Sequence, residues 1–368
     1  MMKTLLVCLL LSLNTHAHYG KPELVARYSG IDAFNAPDDL SCYTSEPQPT
    51  KEGVFLGCIN REGQSQMIRW SPRFEVIAMS EVNFFSHPKE VEGKISWYEY
   101  SETGARNLFE YQDQKLNMIN LKNLGPVFGM VDSFTAIKNQ AYIYRLQDET
   151  KTLQSWKNHT VTSLYTENIA HIFPPVSSQE GNFVVKVRRE STDENSPDEL
   201  IIWDGAFHIV LKDHNSDPAS LIKAFRHQYA LDGEAVALVV TDERGEALVI
   251  LQNGRMTEVA RVGVELSRFD YFSPKMRGGV LVFRGVDNEK RKALWVYERG
   301  VLKRLLTQGD VVKTDKGLAR VDYKNADAVL FGAPGIGPNG QIYQQATLTD
   351  IDSPLTLLGI GLIKFVKE

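Results

Sequence analysis

Asp132, His171, Arg226, His227 and Asp270 are the residues of this chain best suited to act together. Each falls near the start of a repeated unit, and the repeat would gather those starts around a common axis. Converging carboxylate, imidazole and guanidinium groups could bind a small anion or a metal ion, or transfer protons. The plainer reading is a channel wall that is polar because water fills it. No catalytic pattern competes with this group. The chain has no G-x-S-x-G elbow, no P-loop, no H-E-x-x-H and no C-x-x-C.

The repeat that would position these residues returns about every 46 residues, a period typical of propellers and solenoids. It opens on an aromatic, a proline and a glycine, as in Tyr43/Pro47/Gly53, Phe84/Pro88/Gly93, Phe173/Pro174/Gly181, Phe272/Pro274/Gly279 and Phe331/Pro334/Gly340. Two further units, starting at Phe134 and Tyr229, lack the proline. A strand follows each turn: Val54–Ile59, Lys94–Tyr100, Ala141–Leu146, Asn182–Arg188, Glu234–Val240, Val280–Arg284 and Gln341–Thr347. A second apolar strand comes next, with Leu200–Trp203, Leu248–Leu251 and Leu294–Tyr297 as clear members. It closes on Asp204-Gly205, Asn253-Gly254 or Arg299-Gly300, pairs that suit primed hairpin turns. In the last unit the same reading places two strands, Leu355–Leu358 and Leu362–Val366, on either side of a turn.

Four short strands per unit predict an all-β fold, a seven-bladed β-propeller of four-stranded antiparallel blades. Ring closure would remove exposed sheet edges. The division expected is a leader at 1–17 and a single propeller domain at 18–368, with 18–40 as an N-terminal segment able to close the ring. A second irregularity is an insertion around Gly309–Asn325.

Pro334-Gly335-Ile336-Gly337-Pro338-Asn339-Gly340-Gln341-Ile342-Tyr343 resembles the tandem NxxGxxAF-type repeats of exported bacterial β-propeller proteins. Their pattern is close to P-x-I-N-x-x-G-x-V-A-F. Gly337 stands where that pattern has asparagine, and Tyr343 where it has alanine. Pro274-Lys275-Met276-Arg277-Gly278-Gly279-Val280, followed by Phe283, is a looser match. The resemblance implies the propeller fold and transfers no catalytic residue.

Met1-Met2-Lys3, the apolar run Leu5–Leu13 and Thr15-His16-Ala17 read as a cleaved export signal. Cys42 and Cys58 would remain, and an exported pair level across a hairpin predicts a disulfide. The formal charge of −5 becomes −6 when Lys3 leaves with the leader, which gives no basic footprint for nucleic acid. No apolar stretch of the mature chain is long enough to span a bilayer.

Charged loops follow the second strands: Glu102, Asp148 and Glu149, the run from Ser191 to Glu199, Asp242-Glu243-Arg244, Asp287-Asn288-Glu289, and Asp350 with Asp352. An acidic rim could hold Ca²⁺. Arg189, Arg244 and Lys290 interrupt it, however, and no D-x-D-x-D-G loop occurs, so the loops are expected to be solvated tips. No metal site and no cofactor are expected, Ca²⁺ being the one candidate.

The function these features point to is a monomeric binding module, periplasmic or extracellular, that recognises a protein, glycan or envelope component through its loop face. The alternative is a propeller-type hydrolase or lyase using channel carboxylates and histidines, with or without a divalent cation.

Overall fold

Short strands with apolar residues on both faces are stable only when each sheet is covered on both sides, and stacking sheets face to face supplies that cover. A computed structural model of the chain shows this arrangement. It describes residues 19–27, 40–42, 46–81, 83–101, 104–121, 131–138, 141–146, 152–157, 160–165, 169–190, 196–315, 317–322, 329–353 and 356–368. The leader at 1–17 lies outside the described residues, as do Tyr43, Glu102, Asp148, Glu149 and residues 191–195.

Among the described residues, seven sheets follow one another along the chain. After β1 (Glu23–Arg27), the first sheet contains β2 (Gln48–Thr50), β3 (Gly53–Ile59), β4 (Ser65–Trp70) and β5 (Phe74–Ser80). The second contains β6 (Phe84–Phe85), β7 (Lys89–Val91), β8 (Lys94–Ser101), β9 (Gly104–Gln112) and β10 (Lys115–Asn120). The third contains β11 (Val131–Ile137), β12 (Ala141–Leu146), β13 (Leu153–Lys157) and β14 (Thr160–Tyr165). The fourth contains β15 (Ile169–Ile172), β16 (Val176–Ser177), β17 (Phe183–Arg189), β18 (Asp198–Trp203) and β19 (Phe207–Lys212). The fifth contains β20 (Ala224–Asp232), β21 (Ala235–Asp242), β22 (Gly245–Gln252) and β23 (Arg255–Arg261). The sixth contains β24 (Arg268–Phe269), β25 (Lys275–Arg277), β26 (Val280–Val286), β27 (Lys292–Glu298) and β28 (Val301–Thr307). The seventh contains β29 (Val311–Thr314), β30 (Gly317–Val321), β31 (Leu330–Ile336), β32 (Ile342–Asp350) and β33 (Leu357–Phe365), and β1 joins it. Every strand pairing among the described residues of the first six sheets is antiparallel, so the fold is an all-β propeller with antiparallel blades.

Side-chain alternation along the buried strands explains the continuous apolar runs. In β17, Phe183, Val185 and Val187 pack with Ile137 and Leu153 of the third sheet. Val184, between them, packs with Tyr229, Val236 and Leu238 of the fifth. Similar seams join the first sheet to the second around Phe55 and Trp97, and the fifth to the sixth around Val239 and Phe283. Tyr343 and Leu362 of the seventh sheet pack with Val54, Leu56 and Ile68 of the first. The tryptophans serve these seams: Trp97 stacks on Phe109 at 5.4 Å and Trp203 on Phe183 at 5.3 Å.

The last sheet differs from the sequence expectation. Leu355–Leu358 and Leu362–Val366 are not two strands of a hairpin, because Leu357–Phe365 runs as the single strand β33. Its partner is β1, antiparallel, with Glu23 opposite Lys364 and Arg27 opposite Gly361. Gly361 lets β1 approach closely, since a Cβ would lie 2.5 Å from Leu24 Cδ1 and 3.1 Å from the Ala26 carbonyl. The Gly309–Asn325 insertion forms the hairpin β29–β30, whose β29 pairs parallel with β1 and whose β30 pairs with β32. Arg27, 2% exposed, locks this hairpin to β1 through Asp315, with Nη2 to Oδ2 at 3.0 Å.

The primed hairpin turns form at Asn253-Gly254 and Arg299-Gly300, whereas at Asp204-Gly205 three residues, 204–206, join the strands and Asp204 keeps a negative φ. Asn253 and Gly254 have φ of 51° and 69°, the left-handed pair of a type I′ turn, and join β22 to β23. The loops expected to be solvated tips are partly buried instead. Asp198, Glu199 and Asp287 are 5%, 7% and 3% exposed. Each faces cations: Asp198 meets Lys186 and Arg188, Glu199 meets Arg189, and Asp287 meets Arg291 and Arg304.

Cys42 and Cys58 form a disulfide over a separation of 16 residues, beside the bridge between Ser41 and Ile59. It ties the chain preceding β2 to β3. Replacing both cysteines by serine should lower the unfolding free energy by about 3 kcal/mol, since the reduced loop regains its entropy. The measurement is the urea midpoint at constant slope, and an unchanged midpoint would refute a stabilising role.

Candidate functional site: the central channel

The innermost strand of most sheets is broken at one place. Residues 86–88 separate β6 from β7, 173–175 separate β15 from β16, and 270–274 separate β24 from β25. In β20 the register shifts between Phe225 and Tyr229, and in β31 between Phe331 and Gly335. Proline has no N–H for the ladder, so it suits such a break. Pro88, Pro174, Pro274 and Pro334 all sit there. The breaks re-aim side chains, as bulges do, and they surround a cavity of about 140 Å³ lined by segments of six sheets.

Five charged groups and a histidine meet at this cavity. Glu46 Oε2 is 2.6 Å from Lys275 Nζ and 3.3 Å from Lys89 Nζ. The Glu46 amide donates to His87 Nδ1 at 3.3 Å. Arg277 Nη1 lies 3.2 Å from Glu90 Oε2 and also donates to the carbonyls of Pro49 and Ile336, both at 3.1 Å. Burial opposes the charge on Glu46, yet Lys275, Lys89 and His87 outweigh it and hold its carboxyl well below the usual range. Burial and the neighbouring Lys89 pull Lys275 down to about 8 against the pull of Glu46. Burial also lowers His87, aided by the two lysines.

Where the innermost strands begin, a second group forms. Phe173 contacts His171 at 4.6 Å and stacks on His227 at 5.3 Å. Lys186 lies 4.9 Å from the Phe173 ring, donates to the Phe225 carbonyl at 2.7 Å and pairs with Asp198 at 2.6 Å. Arg226 grips Glu246 at 2.7 Å, donates to the Asp270 carbonyl at 3.2 Å and lies over the Tyr271 ring at 5.7 Å. Asp270 pairs with Arg284 at 2.7 Å, and Arg284 lies 4.3 Å from the Phe272 ring. Burial lowers His227, and Lys186 adds to the effect.

Of the five residues singled out from the sequence, four gather at this mouth. His171 and His227 meet through Phe173, and Arg226 meets Asp270 through the Asp270 carbonyl. The carboxylate of Asp270 is turned to Arg284 rather than to Arg226 or a histidine. Asp132 lies in β11, and its side chain is outside the described residues. Glu46, His87, Lys89, Glu90, Lys275 and Arg277 were not among the residues singled out. A signal for four of them is present in the chain: a charged or imidazole side chain directly beside the repeated proline, in Glu46-Pro47, His87-Pro88-Lys89 and Pro274-Lys275. Among the described residues, no group of three or more His, Cys, Asp and Glu is placed to hold a metal ion.

Lys275 should titrate near pH 8, whereas an ordinary lysine does so near pH 10.4. Acylation rate against pH, read at Lys275 by peptide mapping, should be half-maximal near pH 8. Glu46→Gln removes the opposing negative charge and should move that midpoint lower. A midpoint near pH 10 in the wild type would refute the coupling.

No family model matches the chain, and no curated protein matches it in sequence. Among solved structures it is similar to the β-propeller domain of the Trilobed protease from Pyrococcus furiosus. Identity is 12% and the TM-score 0.56, over 88% of this chain and 97% of that one. It is also similar to a structure from a study of two prolyl endopeptidases, with 11% identity and a TM-score of 0.52. That match covers 92% of this chain and 50% of the other, so this chain spans about half its length. At such identities the likeness concerns the fold, and the fold is a β-propeller.

Proposed function

We propose that the chain is an exported seven-bladed β-propeller that binds a protein or glycan across the mouth where its innermost strands begin. Seven consecutive sheets, with a hydrophobic seam between the seventh and the first, support the blade count. β1, as a further strand of the last sheet, supports closure by the N-terminal segment. The Cys42–Cys58 disulfide supports an oxidising compartment. No helix among the described residues is long and apolar enough to cross a membrane.

The observation that carries the binding reading is two sets of rings and cations on three neighbouring sheets, joined along the chain at Arg226-His227. They run from His171 and Phe173 through His227 and Arg226 to Tyr271 and Phe272. Tyr271 is 74% exposed and Phe272 40%, while the ion pairs Arg226–Glu246 and Arg284–Asp270 brace the cations beside them. Large rings with few rotatable bonds beside arginines are the composition of binding hot spots. Carboxylates held in ion pairs, as Glu46, Glu90 and Asp270 are, favour binding over general acid–base chemistry.

The double variant Tyr271→Ala/Phe272→Ala tests this. Wild-type protein, immobilised, should retain a partner from the extracellular or periplasmic fraction, or on a glycan array. The variant should retain it at least tenfold less well, a loss of about 1.4 kcal/mol, with an unchanged circular dichroism spectrum. Equal retention by both proteins, or none by the wild type, would overturn the reading.

A further inference from the structure

The charges around the channel cavity do not balance. Lys89, Lys275 and Arg277 face Glu46 and Glu90, three cations against two carboxylates. Arg277 pairs with Glu90 through Nη1, which also donates to two backbone carbonyls, so these two charges answer one another. The surplus therefore belongs to the lysine pair, which shares one oxygen of one carboxylate, Glu46 Oε2. An ammonium has three donors, and Glu46 takes one from each lysine. That leaves donors on both nitrogens beside a cavity of about 140 Å³, room for a molecule of a few heavy atoms.

The same cavity is lined by Ser178, which is 2% exposed and whose Oγ has no hydrogen-bond partner. A buried hydroxyl of this kind costs free energy unless a bound group or water satisfies it. The rings of Pro47, Pro88, Pro274 and Pro334 fill much of the remaining wall and offer no N–H of their own. The lysine pair thus supplies the ammonium donors of the cavity, and the Ser178 hydroxyl, from the fourth sheet, lies in the same wall.

We propose that the channel is a binding site for one small carboxylate, held between the ammonium groups of Lys89 and Lys275. A monoanion matches the single surplus charge, and the two oxygens of a carboxylate match two cations that already converge on one carboxylate oxygen. Sulfate or phosphate would bring more charge than the lysines can neutralise. The carboxylate belongs either to a free small acid or to a side chain or terminus of a larger ligand. The site is independent of the aromatic rings at the mouth, so either reading can fail without the other.

The test is calorimetric titration of the wild-type protein with sodium acetate at low ionic strength near pH 7, beside sodium chloride and sodium sulfate. Acetate should bind with one-to-one stoichiometry, and Lys89→Met and Lys275→Met should each weaken it at least tenfold. Tethering is read by repeating the titration with a short peptide whose only carboxylate is its C-terminus and with its amidated form. If the peptide binds tighter than acetate and the amide does not bind, the carboxylate comes from a larger ligand. If acetate binds as tightly as the peptide, it is a free acid, and both results support the site. Lys275 faces Glu46, Lys89 and His87, and it loses its proton near pH 8, so acetate affinity should fall between pH 7 and pH 9.5. Should a methionine variant fold poorly, protection of Lys275 from acylation by acetate in the wild type replaces it. No saturable binding, binding unchanged in Lys275→Met, or equal affinity for chloride or sulfate would overturn the proposal.

Discussion

Burial of both faces of every sheet is the constraint on which this molecule depends. β26 is buried at all seven positions and β21 at its first six, which no sheet achieves unless it has a neighbour on each side. Apolar area removed from water contributes roughly 25 cal/mol per Å². Leaving one face of one blade open would therefore expose a whole row of valines and leucines. The seam between Tyr343, Leu362 and the first sheet is consequently as necessary as the six seams between consecutive sheets. It is also the most heavily reinforced place in the chain. β1, the Arg27–Asp315 pair, Gly361 and the disulfide all lie at or beside it.

The same stacking creates the site. Sheets arranged around an axis bring their innermost strands close together, and their side chains must either fill the axis or leave water there. In this chain the inner strands break at the repeated prolines, and the released residues line a polar cavity. The packing seams demand apolar alternation on the second and third strands of each sheet. They place no such demand on the break, so charge can be carried there without loss of core. Glu46, Lys89 and Lys275 sit at positions that the scaffold leaves free.

Electrostatics then divide the channel's charges into two groups. At the mouth, Lys186, Arg226 and Arg284 are matched by Asp198, Glu246 and Asp270, and aromatic rings cover them. Those cations are structural supports for the rings. At the strand breaks, the lysine pair shares one carboxylate oxygen. Burial acts on both groups in the same sense, lowering Lys186 as well as Lys275.

The amino-acid sequence alone determined what depends on neighbours along the chain. Period-two alternation gave the second strands almost to the residue, as with Ala141–Leu146. Asn253-Gly254 gave its turn because only such residues adopt a left-handed backbone cheaply, and two cysteines level across a hairpin gave the disulfide. The mouth was partly legible for the same reason: His171, Arg226, His227 and Asp270 each mark the start of a unit. Tertiary structure decided what depends on distant partners. Lys275 meets Glu46 across 229 residues and Arg27 meets Asp315 across 288. No local pattern reveals that β33 runs through Gly359 and Gly361 as one strand, because β1, which packs against Gly361, comes from the other end of the chain. Local propensity records turns and alternation, whereas pairing at the axis and at the seam is settled only when the sheets close on one another.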